Sequence, residues 1–351
     1  MSPDYFREGG PFNAQRIDSD HISWQVPIGL DEFGRVARMC PRETCSPGYF
    51  KVKIGTGITE EQPVAYCPYC RWEEEPASFL SAEQLRYMRD VALHEATLAF
   101  QNAMKGACRG SKAVSFKPGR LPHPRQPFED TVQRDVVCPH CGLDHAVFGL
   151  ATWCPDCGRD IMMTHIEAEY AVVHTMLSDV ERRGETFGPR ITARDLENCL
   201  EDVVSIFEAV LKAFLVRHLR QKSEPEEDIQ KLLDERIRNG FQNPERAAEI
   251  VRNRMSLELF EGIDPRLVKG LKTTFEKRHP ITHNLGVVDR KYIERALQDE
   301  SEGRDVRVTK GEILQAIEVC LSTLTSLHAR LFLSPNTLTD GSSGEDSESQ
   351  E

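Results

Sequence analysis

The stretch Cys138-Pro-His140-Cys141-Gly142-Leu-Asp-His145-Ala-Val-Phe-Gly-Leu-Ala-Thr-Trp-Cys154-Pro-Asp-Cys157-Gly158 decides how the first half of this chain is read. It contains two Cys-x2-Cys-Gly turns, with twelve residues between Cys141 and Cys154. In such a turn backbone amides point at the sulfurs, and glycine supplies the positive φ required after the second thiolate. The apolar run 146–150 between the turns suits a hairpin strand that folds one turn back on the other. Four thiolates at this spacing make one tetrahedral zinc shell.

A second set lies upstream. Four residues separate Cys40 from Cys45, and Cys67-Pro-Tyr-Cys70 is a further turn in which Arg71 stands where glycine is usual. Phe50-Lys-Val-Lys-Ile54 alternates between the two pairs, as a ribbon strand should. Eight of the eleven cysteines are therefore assigned to two zinc ribbons, giving two structural Zn2+ per chain. An all-thiolate shell has no open position, so both sites are structural rather than catalytic. His140 and His145 are not needed as ligands. Cys199 and Cys320 read as small helical core residues, and Cys108 is a spare thiol with a redox role as its alternative.

The chain has 351 residues, room for two or three domains, and a formal net charge of −12. That charge argues against wrapping a long duplex, which requires clustered Lys and Arg. The charge is uneven, however. Lys105, Arg109, Lys112, Lys117, Arg120 and Arg125 form a run without an acid, whereas Asp340, Glu345, Asp346, Glu348 and Glu351 crowd the end. The basic run is either a solvated linker or a strip that contacts RNA. No apolar run approaches the ~18–20 residues of a membrane span, and the N-terminus lacks a signal-peptide pattern. A reducing cytoplasm and no membrane association are expected, which favours metal ligation over disulfides.

The expected organisation is a zinc-ribbon module at 1–78, a connecting helix at 79–106 and a basic Gly/Pro-rich linker at 107–135. A second ribbon follows at 136–161, then a helical bundle at 162–334 and a disordered acidic tail at 335–351. Residues 21–28 alternate as a strand would, with Pro27 confining it to an edge. Ser81-Ala-Glu-Gln84 and Thr309-Lys-Gly-Glu312 are capping boxes. Leu85, Met88, Ala92, Ala96 and Ala99 are read as the packing stripe of the connecting helix. Helices are expected near 163–184, 193–222, 226–238, 244–260, 265–284, 289–300 and 309–333. Apolar stripes mark two of them: Val203, Ile206, Phe207, Val210, Leu211, Phe214 and Leu215; then Leu314, Ile317, Leu321, Leu324 and Leu327.

One polar segment stands out in the helical part: Arg278-His279-Pro-Ile-Thr-His283-Asn284-Leu-Gly286. Arg278 and His283 are about 140° apart on an ideal helix, but Pro280 should kink it. Histidine titrates near neutrality and can move a proton from a ribose 2′-hydroxyl; arginine can hold the phosphate. Three other roles are open. Arg278 could pair with Glu201 or Glu208, His283 and Asn284 could cap the helix, and His279 with His283 could form half of a metal site.

This segment resembles the HEPN superfamily, an all-helical family common in prokaryotic defence and toxin proteins. The resemblance spans roughly residues 163–333. It rests on the helical pattern, the R-x4-6-H motif at Arg278 and His283, and the longer Arg-His-x-Ile-x-His-Asn-x-Gly string. It implies a HEPN-like C-terminal helical bundle; with the two small N-terminal β zinc ribbons read from the cysteines, the expected class is mostly α. It also implies a metal-independent endoribonuclease that dimerises around a composite cleft, with Arg278 and His283 catalytic and His279 assisting. Leu285 stands where the branch paired with nucleotidyltransferase antitoxins has a tyrosine, so that regulatory mode is not implied. The ribbons would recognise RNA or a protein partner. The alternative is a non-catalytic zinc-ribbon adaptor whose helical domain only dimerises or binds a partner. DNA-reading ribbons are disfavoured because neither is rich in Lys and Arg.

Overall fold

The computed structural model describes residues 9, 12–18, 21–58, 62–109, 115–296 and 301–333. The chain divides into two compact units, Met1–Met162 and Met163–Glu351. It is 53% helical, with small antiparallel sheets in the N-terminal unit. The mostly α class with N-terminal β modules around two four-cysteine sites is the fold expected from the sequence. The acidic tail expected at 335–351 lies outside the described residues.

The first unit opens with a two-stranded ladder, β1 (Gln15–Arg16) and β2 (Ile22–Ser23). Next come β3 (Arg35–Met39), β4 (Tyr49–Lys53), β5 (Ala65–Tyr66), β6 (Glu73–Glu74) and α1 (Ala82–Ala107), then β7 (Arg134–Val137) and β8 (Asp144–Val147). The two ribbons are not separate sheets. Their hairpins join as one four-stranded antiparallel sheet in the order β3-β4-β8-β7, with Phe50 opposite Val147 and Val52 opposite His145. Alternation explains the join. Phe50 and Val147 pack with Cys40, Cys67 and Phe79, while Tyr49 and Ala146 pack with Ala37 and Val132. Strands clad on both faces by short clusters gain from sharing an edge rather than exposing it.

Helix α1 starts at the expected capping box: Ser81 and Gln84 exchange side-chain and backbone hydrogen bonds. Its buried face differs from expectation. Gln84, Tyr87, Val91 and Gln101 are buried, while Leu85 is exposed. Polar Gln84 is buried because its amide donates to the Ala37 carbonyl at 3.0 Å, a pairing no apolar-periodicity rule can find. The segment expected as a linker is laid along this helix. Pro122, Gly119 and Gln126 bond to His94, Gln101 and Tyr87, and Glu129 continues onto the sheet to meet Lys51 at 3.3 Å.

The second unit is helical: α2 (Met162–Phe187), α3 (Pro189–Gln221), α4 (Glu226–Lys231) followed by a π-helical turn (Leu232–Ile237), α5 (Pro244–Met255), α6 (Pro265–Glu276), α7 (Arg278–His283), α8 (Arg290–Ala296) and α9 (Lys310–His328) with a π turn at Ala329–Leu333. α3 begins at Pro189, a turn before the expected 193, because proline suits the first helical position. Leu200, Val203, Phe207, Val210, Leu211, Phe214 and Leu215 on α3 are wholly buried. They face Ile313, Cys320, Leu324 and Leu327 on α9, which packs on both α3 and α6. Phe207 meets Phe275 edge-on at 5.7 Å, a favoured aromatic geometry.

Among the described residues one helical stretch, Lys310–Leu333, is long and apolar enough to cross a membrane by length and composition, with a mean hydropathy of 1.2. In the sequence Glu312, Gln315, Glu318 and several hydroxyls interrupt its apolar residues, so no continuous apolar run marks it. Half of its most apolar window is buried inside the protein.

Candidate functional site

The two cysteine sets each converge. Cys40, Cys45, Cys67 and Cys70 form one group and Cys138, Cys141, Cys154 and Cys157 the other, with all sulfurs of a group within 4.8 Å. Cys40 and Cys70 sulfurs are 3.7 Å apart, as are those of Cys45 and Cys67. In the second group Cys138–Cys157 is 3.8 Å and Cys141–Cys154 is 3.5 Å. A tetrahedron with zinc–sulfur bonds of ~2.3 Å has edges of about 3.8 Å. The donor set and spacing thus fit two structural zinc sites, and no sulfur separation suggests disulfide bonding.

The local chain explains this geometry. The Arg71 amide bonds to the Cys67 carbonyl, Gly142 to Cys138 and Gly158 to Cys154, all at 2.9–3.0 Å. Backbone amides of Tyr69 and Cys70 serve Cys67, and that of Trp72 serves Cys70. His140 and Cys141 do the same for Cys138, and Asp156 and Cys157 for Cys154. The thiols resist ionising together. Burial pushes Cys45 and Cys141 up to about 12, while a hydrogen bond from Cys67 pulls Cys70 down to about 5. Four crowded sulfurs cannot all ionise unaided; a divalent ion supplies the opposing charge.

Arg71 takes the left-handed conformation, φ 61°, that Gly142 (81°) and Gly158 (62°) take in the other turns. Such a conformation costs a non-glycine residue ~1 kcal/mol. Two contacts offset it. Arg71 Nε donates to the Gly158 carbonyl at 3.3 Å, and the guanidinium stacks on Trp153 at 4.9 Å. The side chain therefore ties one zinc turn to the other. Tyr69 does likewise, donating to Tyr49 O and accepting from Phe148 N at 2.7 and 2.9 Å. Backbone bonds from Tyr66 to Pro155 and from Thr152 to Pro68 complete the interlock. The missing glycine at position 71 was the visible signal of this joint, though sequence spacing alone did not reveal it.

The polar segment of the second unit forms α7. The helix expected over 265–284 breaks at Lys277, one residue before Arg278. Pro280 has no N–H to give the Glu276 carbonyl, so the ladder lapses there. Lys277 is buried at the joint, where its ammonium meets Glu312 at 2.7 Å and the Arg307 carbonyl at 2.6 Å. Within α7 the i,i+4 spacing brings the rings of His279 and His283 to 5.1 Å. His283 is exposed, and Arg278 and His279 are half-buried.

Arg278 makes no ion pair with Glu201 or Glu208. Its Nη1 donates to Gln242 Oε1 at 2.7 Å, and Gln242 Nε2 donates to Glu208 at 2.6 Å. Arg278 Nε has no hydrogen-bond partner. Thr282 bonds to Glu201 at 2.6 Å, so α7 is tied to α3 by its own threonine. Beyond His283, Leu285 is 81% exposed with φ 54°. Gly286 follows with φ 82°, and a Cβ there would meet Glu197 Oε1 at 3.4 Å. His283 and Asn284 end the helix, with Asn284 Nδ2 on the Val287 carbonyl. His279 and His283 belong to neither group of metal-competent side chains among the described residues. Gln242 was not anticipated as part of this site, since it lies 36 positions from Arg278. No family model, curated protein or solved structure matches the chain.

Proposed function

We propose that this protein is a cytoplasmic, metal-independent endoribonuclease of the HEPN type, acting in defence or stress response as a homodimer, with its zinc ribbons recognising RNA or a protein partner. The observation that supports this is the state of α7. It carries one arginine that has no carboxylate partner among the described residues and two histidines with adjoining rings, one of them open to solvent. In this mechanism His283 takes the 2′-hydroxyl proton as that oxygen attacks the adjacent phosphorus. The bond to the 5′-oxygen breaks, and that oxygen leaves with a proton from His279. The products are a 2′,3′-cyclic phosphate and a 5′-hydroxyl. Arg278 stabilises the charge building on the phosphoryl oxygens, and its bond to Gln242 holds it in place.

A second reading, a non-catalytic adaptor, draws on the chain Glu208–Gln242–Arg278, which gives the arginine a structural role. Incubation of the full chain with mixed RNA in EDTA separates the two. Wild type should cut, while Arg278→Ala and His283→Ala should fall at least 100-fold with circular dichroism and zinc content unchanged. Full activity in either variant overturns the mechanism.

A further inference from the structure

Between Glu95 and Glu129 the chain carries no Asp or Glu. Within this span Lys105, Arg109, Lys117, Arg120 and Arg125 are exposed, and none forms an ion pair among the described residues. Several cations elsewhere are paired with acids: Arg35 with Asp144, Lys51 with Asp31, Arg182 with Asp179, Arg330 with Glu261. Those of this span sit together on a built surface. Tyr87, His94 and Gln101, seven residues apart along α1, hold Gln126, Pro122 and Gly119 in antiparallel order at 3.0, 2.5 and 3.0 Å. The strap is thus fixed along about 20 Å of helix. Pro118, Pro122, Pro124 and Pro127 keep it extended. At its far end Phe128 is 75% exposed.

We propose that this strap, with the C-terminal end of α1, is the track that holds single-stranded RNA. The inference rests on the ribonuclease reading and names where its substrate is gripped. A protein of net charge −12 needs a local cation cluster to hold any polyanion. An extended strap presents charges in a line, which suits a flexible strand better than the groove of a duplex. An exposed phenylalanine at its end offers a stacking face, which a base uses and an acidic peptide does not.

The test is fluorescence anisotropy with a labelled single-stranded RNA, using the full chain with His283→Ala so that nothing is cut. The triple variant Lys117→Ser/Arg120→Ser/Arg125→Ser should bind at least tenfold more weakly. Its log–log salt slope should be shallower by about 2, since each lost phosphate contact removes ~0.7. Arg120→Lys/Arg125→Lys should keep the slope, which separates lost charge from a damaged fold. Phe128→Ala should cost about tenfold. Binding by the triple variant with unchanged affinity and slope overturns the track but leaves the ribonuclease reading standing if wild type still cuts. Charge-dependent RNA binding without cleavage by wild type upholds the track and sinks the ribonuclease. Binding of a poly-glutamate peptide but not of RNA overturns the track as an RNA site.

Discussion

The helical unit wholly buries eight apolar side chains along α3 alone, from Leu200 to Leu215, and α9 packs on that helix. Among the described residues of the sheet unit, three core clusters hold four to six buried residues each, and two of them include zinc-site cysteines as members. One unit is held by apolar area and the other by metal, so the same chain answers differently to the same insult.

The largest effect should come from stripping the metal. Structural zinc contributes ~10 kcal/mol or more in small modules. Removal by a strong thiol-specific zinc chelator, or Cys154→Ser, should erase hydrogen-exchange protection in β3, β4, β7 and β8. Protection in α3 and α9 should persist. Elemental analysis of the native protein should give two zinc ions per chain. Joint loss of protection across both units would break the comparison.

A reverse insult comes next. Phe207→Ala empties a wholly buried site against Phe275 and should lower the stability of the helical unit by about 3–5 kcal/mol in urea denaturation. Zinc content should stay at two ions. Metal release in this variant would mean that the helical core also supports the ribbons.

The smallest effect concerns His145, buried in β8 at the join of the two hairpins. Burial holds its pKa down to about 4, so the folded chain refuses a proton that the unfolded chain accepts near 6.5. Stability is then fully present above pH 6.5 and is lost as pH falls toward 4. The expected loss from pH 7 to pH 5 is about 2 kcal/mol. His145→Gln should flatten that part of the profile in denaturant titrations followed at zinc saturation; an unchanged slope removes His145 as its source.

What could be read from the sequence follows the range of the forces involved. Cysteine spacing, the capping boxes at Ser81 and Thr309 and the α3 stripe are local, and each is found where periodicity and turn chemistry place it. The fused sheet was not legible, because β4 and β8 pair across almost a hundred positions and either hairpin could have stood alone. The buried face of α1 was misread because two glutamines occupy it, satisfied by carbonyls from distant segments. At α7 the motif residues were visible, but the contact of Arg278 with Gln242 needed the fold.

The order β3-β4-β8-β7 also sets a timetable for synthesis. The first hairpin leaves the ribosome with the β4 edge bare, and the strand that covers it is encoded nearly a hundred residues later. At ~5–20 residues per second the wait is on the order of ten seconds. During that interval the nascent chain displays an open strand flanked by Cys40, Cys45, Cys67 and Cys70, able to load its first ion before its second ribbon exists. Early metal capture would give the bare strand a fixed shape on which β8 can later dock.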